Sequence, residues 1–167
     1  LEREMGAVDV LVHAAGVISL GRLEQAPVED FDRQFGTNVR AAYLLTQALL
    51  PLLRARQGQV VFVNSSAGLV ARGGVSQYAA TKHALKAVAD SLREEVNPDG
   101  IRVLSLFLGR TATPMQAAVH EAEGRPYDPE RLIRPEDVAA LMINVLNLPR
   151  SVEVAEITLR PLQKPVP

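Results

Sequence analysis

The sequence predicts an α/β protein built on a parallel sheet, and two observations carry that prediction. Four short, near-continuous apolar runs punctuate the chain: DVLVHAAG (9–16), GQVVFVNSS (58–66), IRVLSLFLG (101–109) and VEVAEITL (152–159). Runs rich in Val, Ile and Leu suit strands covered on both faces. Between them lie segments whose apolar residues recur at helical spacing. Strand and helix therefore alternate, which calls for right-handed crossovers between parallel strands.

The elements follow in order. The first strand closes on Gly16. The first helix spans 27–56, with Pro27 at its start and Glu29 and Asp30 in its first turn. Phe31, Phe35, Val39, Ala42, Leu45 and Leu49 recur along it as a core face, and Pro51 is expected to kink or end it. After the second strand, a helix over 75–95 carries Ala84, Leu85, Val88 and Leu92 on one side, and NPDG at 97–100 stops it. The segment 110–134, RTATPMQAAVHEAEGRPYDPERLIR, contains three prolines and reads as irregular. It lies past the carboxyl end of a strand, where open α/β sheets bind ligands. A last helix over 135–147 opens on Pro135, Glu136 and Asp137 and buries Val138, Leu141, Met142 and Val145. The opening LEREMG reads as the end of a helix.

Composition excludes several functions. The 167 residues, 47% apolar and 22% charged, suffice for one domain over 1–167 with its own core. Net charge is −1 without a basic stripe, so no nucleic-acid partner is expected. There is no cysteine, hence no disulfide or thiolate nucleophile. His13, His83 and His120 are scattered without metal-ligand spacing, and no metal is expected. The longest uncharged run, AAYLLTQALLPLL (41–53), is too short for a bilayer. With no membrane segment and no leader-like apolar stretch after the charged start, the expected location is the cytoplasm.

Residues with chemical potential gather at strand ends: HAAG (13–16), NSSAG (64–68) and LGRTATPM (108–115). SQYAATKHAL (76–85) adds Tyr78 and Lys82, four apart and so on one helical face. Asn38 lies mid-helix, where asparagine is a poor helix former. Each has a plain alternative. Tyr78 and Lys82 can be solvated, Ser65 and Ser66 can satisfy a turn, and Thr111 and Thr113 can cap one. No GxSxG elbow supports a serine hydrolase.

Taken together, these stretches resemble the short-chain dehydrogenases/reductases. YAATK is similar to that family's YxxxK, and Ser65 lies 13 residues before the tyrosine. Asn38 falls where the family has its active-site asparagine. HAAG keeps the last two residues of the family's NNAG, and LGRTATPM is similar to its PG-and-threonine stretch, with Leu108 where proline is expected. The resemblance covers residues 9–160 and implies a Rossmann-like sheet lacking the family's first three strands. It implies hydride transfer between NAD or NADP and an alcohol or carbonyl. Asn38, Ser65, Tyr78 and Lys82 would be catalytic. Ala15, Gly16, Tyr78, Lys82, Gly109, Thr111 and Thr113 would contact the cofactor.

The chemistry sets conditions. A free tyrosine with pKa ~10 is poorly poised near neutrality. Lowering it by about three units takes roughly 4 kcal/mol. An ammonium about 4 Å away at an effective dielectric near 20 supplies that much, and Lys82 is the expected source. By resemblance Lys82 also holds the nicotinamide ribose. Ser65 would donate to the substrate oxygen, and Asn38 would hold a water that returns the proton. Met115, Ala117, Ala118 and Val119 suggest an apolar pocket wall, hence an apolar alcohol or carbonyl substrate.

The glycine-rich phosphate turn is not found. AGLVARGG (67–74) has the wrong context, and no residue distinguishing NAD from NADP can be named. On this reading VLVHAA is an uncharged edge strand. The chain alone is then expected to be poorly soluble or oligomeric and to bind NAD(P)H weakly or not at all. Homo-oligomerisation is expected through helices 27–56 and 75–95. The alternative is a non-catalytic oligomerisation or scaffold domain using the same helices.

Overall fold

The structure, a computed structural model, describes residues 6–163; the helix end read in LEREMG falls on residues 1–5, outside them. Four parallel strands form one sheet in sequential order: β1 (Val10–His13), β2 (Gln59–Ser65), β3 (Arg102–Leu108) and β4 (Glu156–Leu159). Register places Val12 beside Val61, Val61 beside Leu104, and Ser65 beside Leu108. The strands are shorter than the apolar runs. HAAG leaves the sheet after His13, and residues 152–155 approach β4 without joining a ladder.

The crossovers are helical. α1 (Val28–Phe35) passes through a π-turn (Gly36–Arg40) into α2 (Ala41–Arg56). α3 (Ser76–Val96) links β2 to β3. α4 (Pro114–Ala122) and α5 (Pro135–Leu146) lie between β3 and β4. One face of the sheet packs Leu11, Val60, Phe62 and Val103 under Leu49 and Leu53 of α2 and Leu85, Ala89 and Val96 of α3. The other packs Val61, Leu104 and Leu106 under Val138, Met142 and Val145 of α5.

Three expectations change here. Phe35 is 41% exposed and Leu45 37% exposed, whereas Gln34 is fully buried. The π-turn accounts for the first of these: the Ala41 amide reaches back five residues to the Gly36 carbonyl, which inserts one residue into the turn. One extra residue rotates the upstream helix by about 100°, so Gln34 faces inward where a regular helix would place Phe35. In α2 the inward row is Ala42, Thr46, Leu49 and Leu53. Pro51 does not end the helix, which runs on to Arg56 and stops at Gln57, a left-handed residue at φ 48°. The segment 110–134 is not irregular throughout, because Thr113 caps α4 by accepting from the Gln116 amide (3.2 Å).

Candidate active site

The carboxyl ends of β1, β2 and β3 bring most of the singled-out residues together. Ser65 is the last residue of β2, and its Oγ accepts from the Ala67 amide (3.1 Å), which caps the short 3-10 turn Ser66–Gly68. The capping hydroxyl is therefore that of Ser65. Ser66 is exposed and contributes its carbonyl to Leu69 and Val70. The accepting role leaves the Ser65 O–H free to donate. The Ser65 side chain reaches the Tyr78 hydroxyl across the gap between β2 and the first turns of α3, near enough to act on its titration.

Lys82, one turn beyond Tyr78, is buried. Its Nζ donates to the Val63 carbonyl (3.3 Å) and lies 5.7 Å from the Tyr78 ring centroid. The electrostatics differ from expectation. Burial pushes the Tyr78 hydroxyl above its ordinary value, with the Ser65 side chain pulling the other way. Burial also lowers Lys82 to about 8. The expected depression of the tyrosine by the lysine is not found. The ammonium stands over the ring and is held by Val63, so the loss of water around the hydroxyl dominates.

Asn38, in the π-turn and 1% exposed, uses both ends of its amide internally. Its Oδ1 accepts from the Val17 amide (2.8 Å), and its Nδ2 donates to the Val17 carbonyl (2.9 Å) and to Thr81 Oγ1 (3.0 Å). Thr81 in turn donates to the Tyr78 carbonyl (2.8 Å). Both amide N–H bonds are thus committed. The side chain ties the loop after β1 to the turn bearing Tyr78, and a water held by it would donate to the second lone pair of Oδ1. Sequence reasoning missed Asn64 and Gly68. Asn64 donates to the Lys82 carbonyl (3.1 Å) and accepts from the Ser65 amide (2.7 Å). A Cβ at Gly68 would lie 2.8 Å from the Lys82 carbonyl oxygen, so only glycine lets the 3-10 turn seat against α3. The signal was present in NSSAG, where a polar triplet ends an apolar strand.

Of the expected cofactor residues, Gly16 joins the cluster: a Cβ there would lie 3.4 Å from Asn38 Oδ1 and 3.7 Å from Lys82 Nζ. Ala15 is exposed beside it. Gly109, Thr111 and Thr113 also make contacts within the fold. Gly109 donates to the Leu159 carbonyl (2.8 Å), and a Cβ on it would meet Pro161 at 3.1 Å. Thr111 donates to the Gly109 carbonyl (3.1 Å), and Thr113 caps α4. The Lys82 ammonium makes a single hydrogen bond among the described residues and faces Gly16, a donor placement that suits the hydroxyls of a ribose. The nicotinamide-ribose end of a dinucleotide fits these residues. Among the described residues no group of His, Asp and Glu is arranged to hold a metal, and no helix is long and apolar enough to cross a membrane.

A family model described as short chain dehydrogenase matches residues 1–124. An uncharacterized short-chain type dehydrogenase/reductase of Sinorhizobium fredii is 33% identical over 159 residues, 92% of this chain and 64% of that protein. The chain thus spans less than two thirds of that relative's length. An NADPH-dependent 3-dehydrocapnine reductase of Ornithobacterium rhinotracheale is 35% identical over 125 residues, 72% of this chain and 44% of that protein. An alcohol dehydrogenase from the archaeon Thermococcus sibiricus, complexed with 5-hydroxy-NADP, superposes with TM-score 0.86 at 27% identity, covering 99% of this chain and 68% of that one.

Proposed function

The chain belongs to the short-chain dehydrogenase family, and from that premise we propose that it carries the proton-transfer half of an NAD(P)-dependent oxidoreductase acting on an alcohol or carbonyl. The observation that supports this most is the convergence of the Tyr78 and Ser65 side chains, beside a buried ammonium with spare donors. A carbonyl oxygen lodged between the two hydroxyls would accept from both. Ser65, whose Oγ already accepts from Ala67, donates its only O–H to the substrate and disperses charge as the oxygen becomes an alkoxide. Tyr78 passes its proton to that oxygen. Protonated near neutrality, it is in the form that donates in carbonyl reduction.

A bound nicotinamide supplies the hydride to the carbonyl carbon. Lys82 holds the ribose with the N–H bonds left by Val63, and Gly16 keeps that space open. Lys82, at about 8, stays mostly charged at pH 7 and so keeps all three N–H donors for Val63 and the ribose. The α4 residues Met115 and Ala118, both exposed, and the half-buried Ala117 and Val119 give the substrate side an apolar wall. An apolar ketone or aldehyde is the substrate class that matches it.

The test is oxidation of NADH and NADPH by the full polypeptide carrying this chain, against a panel of apolar and charged carbonyls. Tyr78→Phe should lower turnover by about 10²–10⁴-fold with folding intact by circular dichroism. Most of the activity surviving would remove Tyr78 from the reaction. A second reading, a scaffold working by self-association, is favoured by one observation: Val28, Phe35, Tyr43 and Leu44 are exposed apolar residues along α1 and α2.

A further inference from the structure

α4 is weakly anchored by packing. Of its nine residues only His120 is buried, while Met115 is 40% exposed. An ordinary amphipathic helix is held by an apolar stripe, and this one has none to speak of. What reaches it is polar, and most of it comes from Arg110, the residue that follows Gly109 at the tip of β3. One Arg110 Nη donates to His120 Nε2 (3.1 Å) and the other to both oxygens of Glu123 (2.8 and 2.6 Å). His120 Nδ1 lies 2.8 Å from the Gln116 carbonyl, to which it donates, so Nε2 is the lone-pair nitrogen and accepts from Arg110. The imidazole edge rests on Tyr127 with centroids 5.5 Å apart. The base of the excursion is closed by the Ile133 amide donating to the Arg110 carbonyl (3.1 Å) and the Ala112 amide to the Ile133 carbonyl (2.8 Å).

We propose that Arg110 is the latch that sets α4 against the carboxyl ends of the strands, and so positions the apolar wall of the substrate pocket. It is a positioning residue, acting through His120 and Glu123 and touching no substrate. One planar guanidinium serves both partners at once, as an ammonium cannot, and the ion pair is only about a quarter exposed on each side (24% and 27%). Because the base of the loop is pinned separately, loss of the latch frees the helix without unfolding the sheet. The pocket-wall role rests on the oxidoreductase reading; the latch itself does not.

The test combines amide hydrogen exchange with steady-state kinetics on Arg110→Met, Arg110→Lys and Glu123→Gln in the full polypeptide. Exchange over 114–123 should rise about tenfold in Arg110→Met and less in Arg110→Lys, with the amides of α3 unchanged. KM for an apolar carbonyl should rise several-fold while kcat stays within about twofold. Unchanged exchange over 114–123, or an equal rise through the whole molecule, would overturn the latch. Should Arg110→Met fail to fold, Glu123→Gln carries the same readouts. If exchange responds but KM does not, the pocket-wall role falls. If the parent protein reduces no carbonyl, the oxidoreductase reading falls, and exchange alone decides the latch.

Discussion

His13 ends β1 inside the core, and its chemistry is set by one neighbour. Thr46 donates its hydroxyl hydrogen to the Ala42 carbonyl (2.8 Å), so it can only accept from His13 Nε2 (2.7 Å). Nε2 therefore carries a proton, and the ring stacks on Phe62 at 4.9 Å. Burial pushes its pKa below the ordinary value, so the unfolded chain takes up a proton at a higher pH than the folded one. The stability this neutral histidine contributes is complete above about pH 6.5 and is lost as pH falls from there toward the folded value. Urea midpoints should drop between pH 7.5 and pH 5, and His13→Asn should flatten that slope; an identical slope in the variant would assign it to other groups. The same pair marks what a sequence hides at this scale. Thr46 lies 33 residues from His13, so nothing local announced the contact. Tyr78, Ser65 and Lys82 were legible because the spacing between a strand end and a helical turn is local. The direction of the Tyr78 shift was not, since it depends on how much water the surrounding fold removes.

The 28–56 helix shows the corresponding limit for an element. Its length and its charged first turn were readable, but the π-turn was not, because the residues GTNVR carry no distinctive pattern. The consequence is functional geometry: the turn presents Asn38 to Val17 and to Thr81 at once, joining β1's exit loop to the Tyr78 turn. Asn38→Ala would leave the Val17 amide and carbonyl without their side-chain partners in a part-buried site. That should cost about 2–3 kcal/mol by urea denaturation, with exchange at the Val17 amide faster than at β3. A cost below about 0.5 kcal/mol would reduce Asn38 to an ordinary helical residue. α4 was missed for the opposite reason. Its residues lack apolar periodicity, and the interactions that reach it are mostly polar ones from Arg110 and Thr113.

At the scale of the molecule, the alternation of strands and helices was enough to give a parallel sheet, and each crossover steps to the next strand. The uniform right hand expected does not hold, because α5 lies on the opposite face from α2 and α3 and the β3–β4 crossover therefore has the opposite hand to the first two. The sheet's weak point is β1. Among the described residues it pairs only with β2, so its other edge offers unpaired amides and carbonyls. Val10 and Val12, each 39% exposed, lie on the face that packs α5 elsewhere in the sheet, yet the helix side chains that cover that face meet β2, β3 and β4. An open edge with valines on one face and no charge is a template for another strand. Residues 1–167 alone should therefore associate in a concentration-dependent way. Val12→Lys should reduce that association by placing a charge on the exposed face, while Leu11 and His13 keep their contacts on the other. Sedimentation velocity of the two proteins across a hundredfold range of concentration decides it. A parent chain that stays monomeric throughout, or a lysine variant that associates equally, would mean that the β1 edge is already satisfied within the monomer.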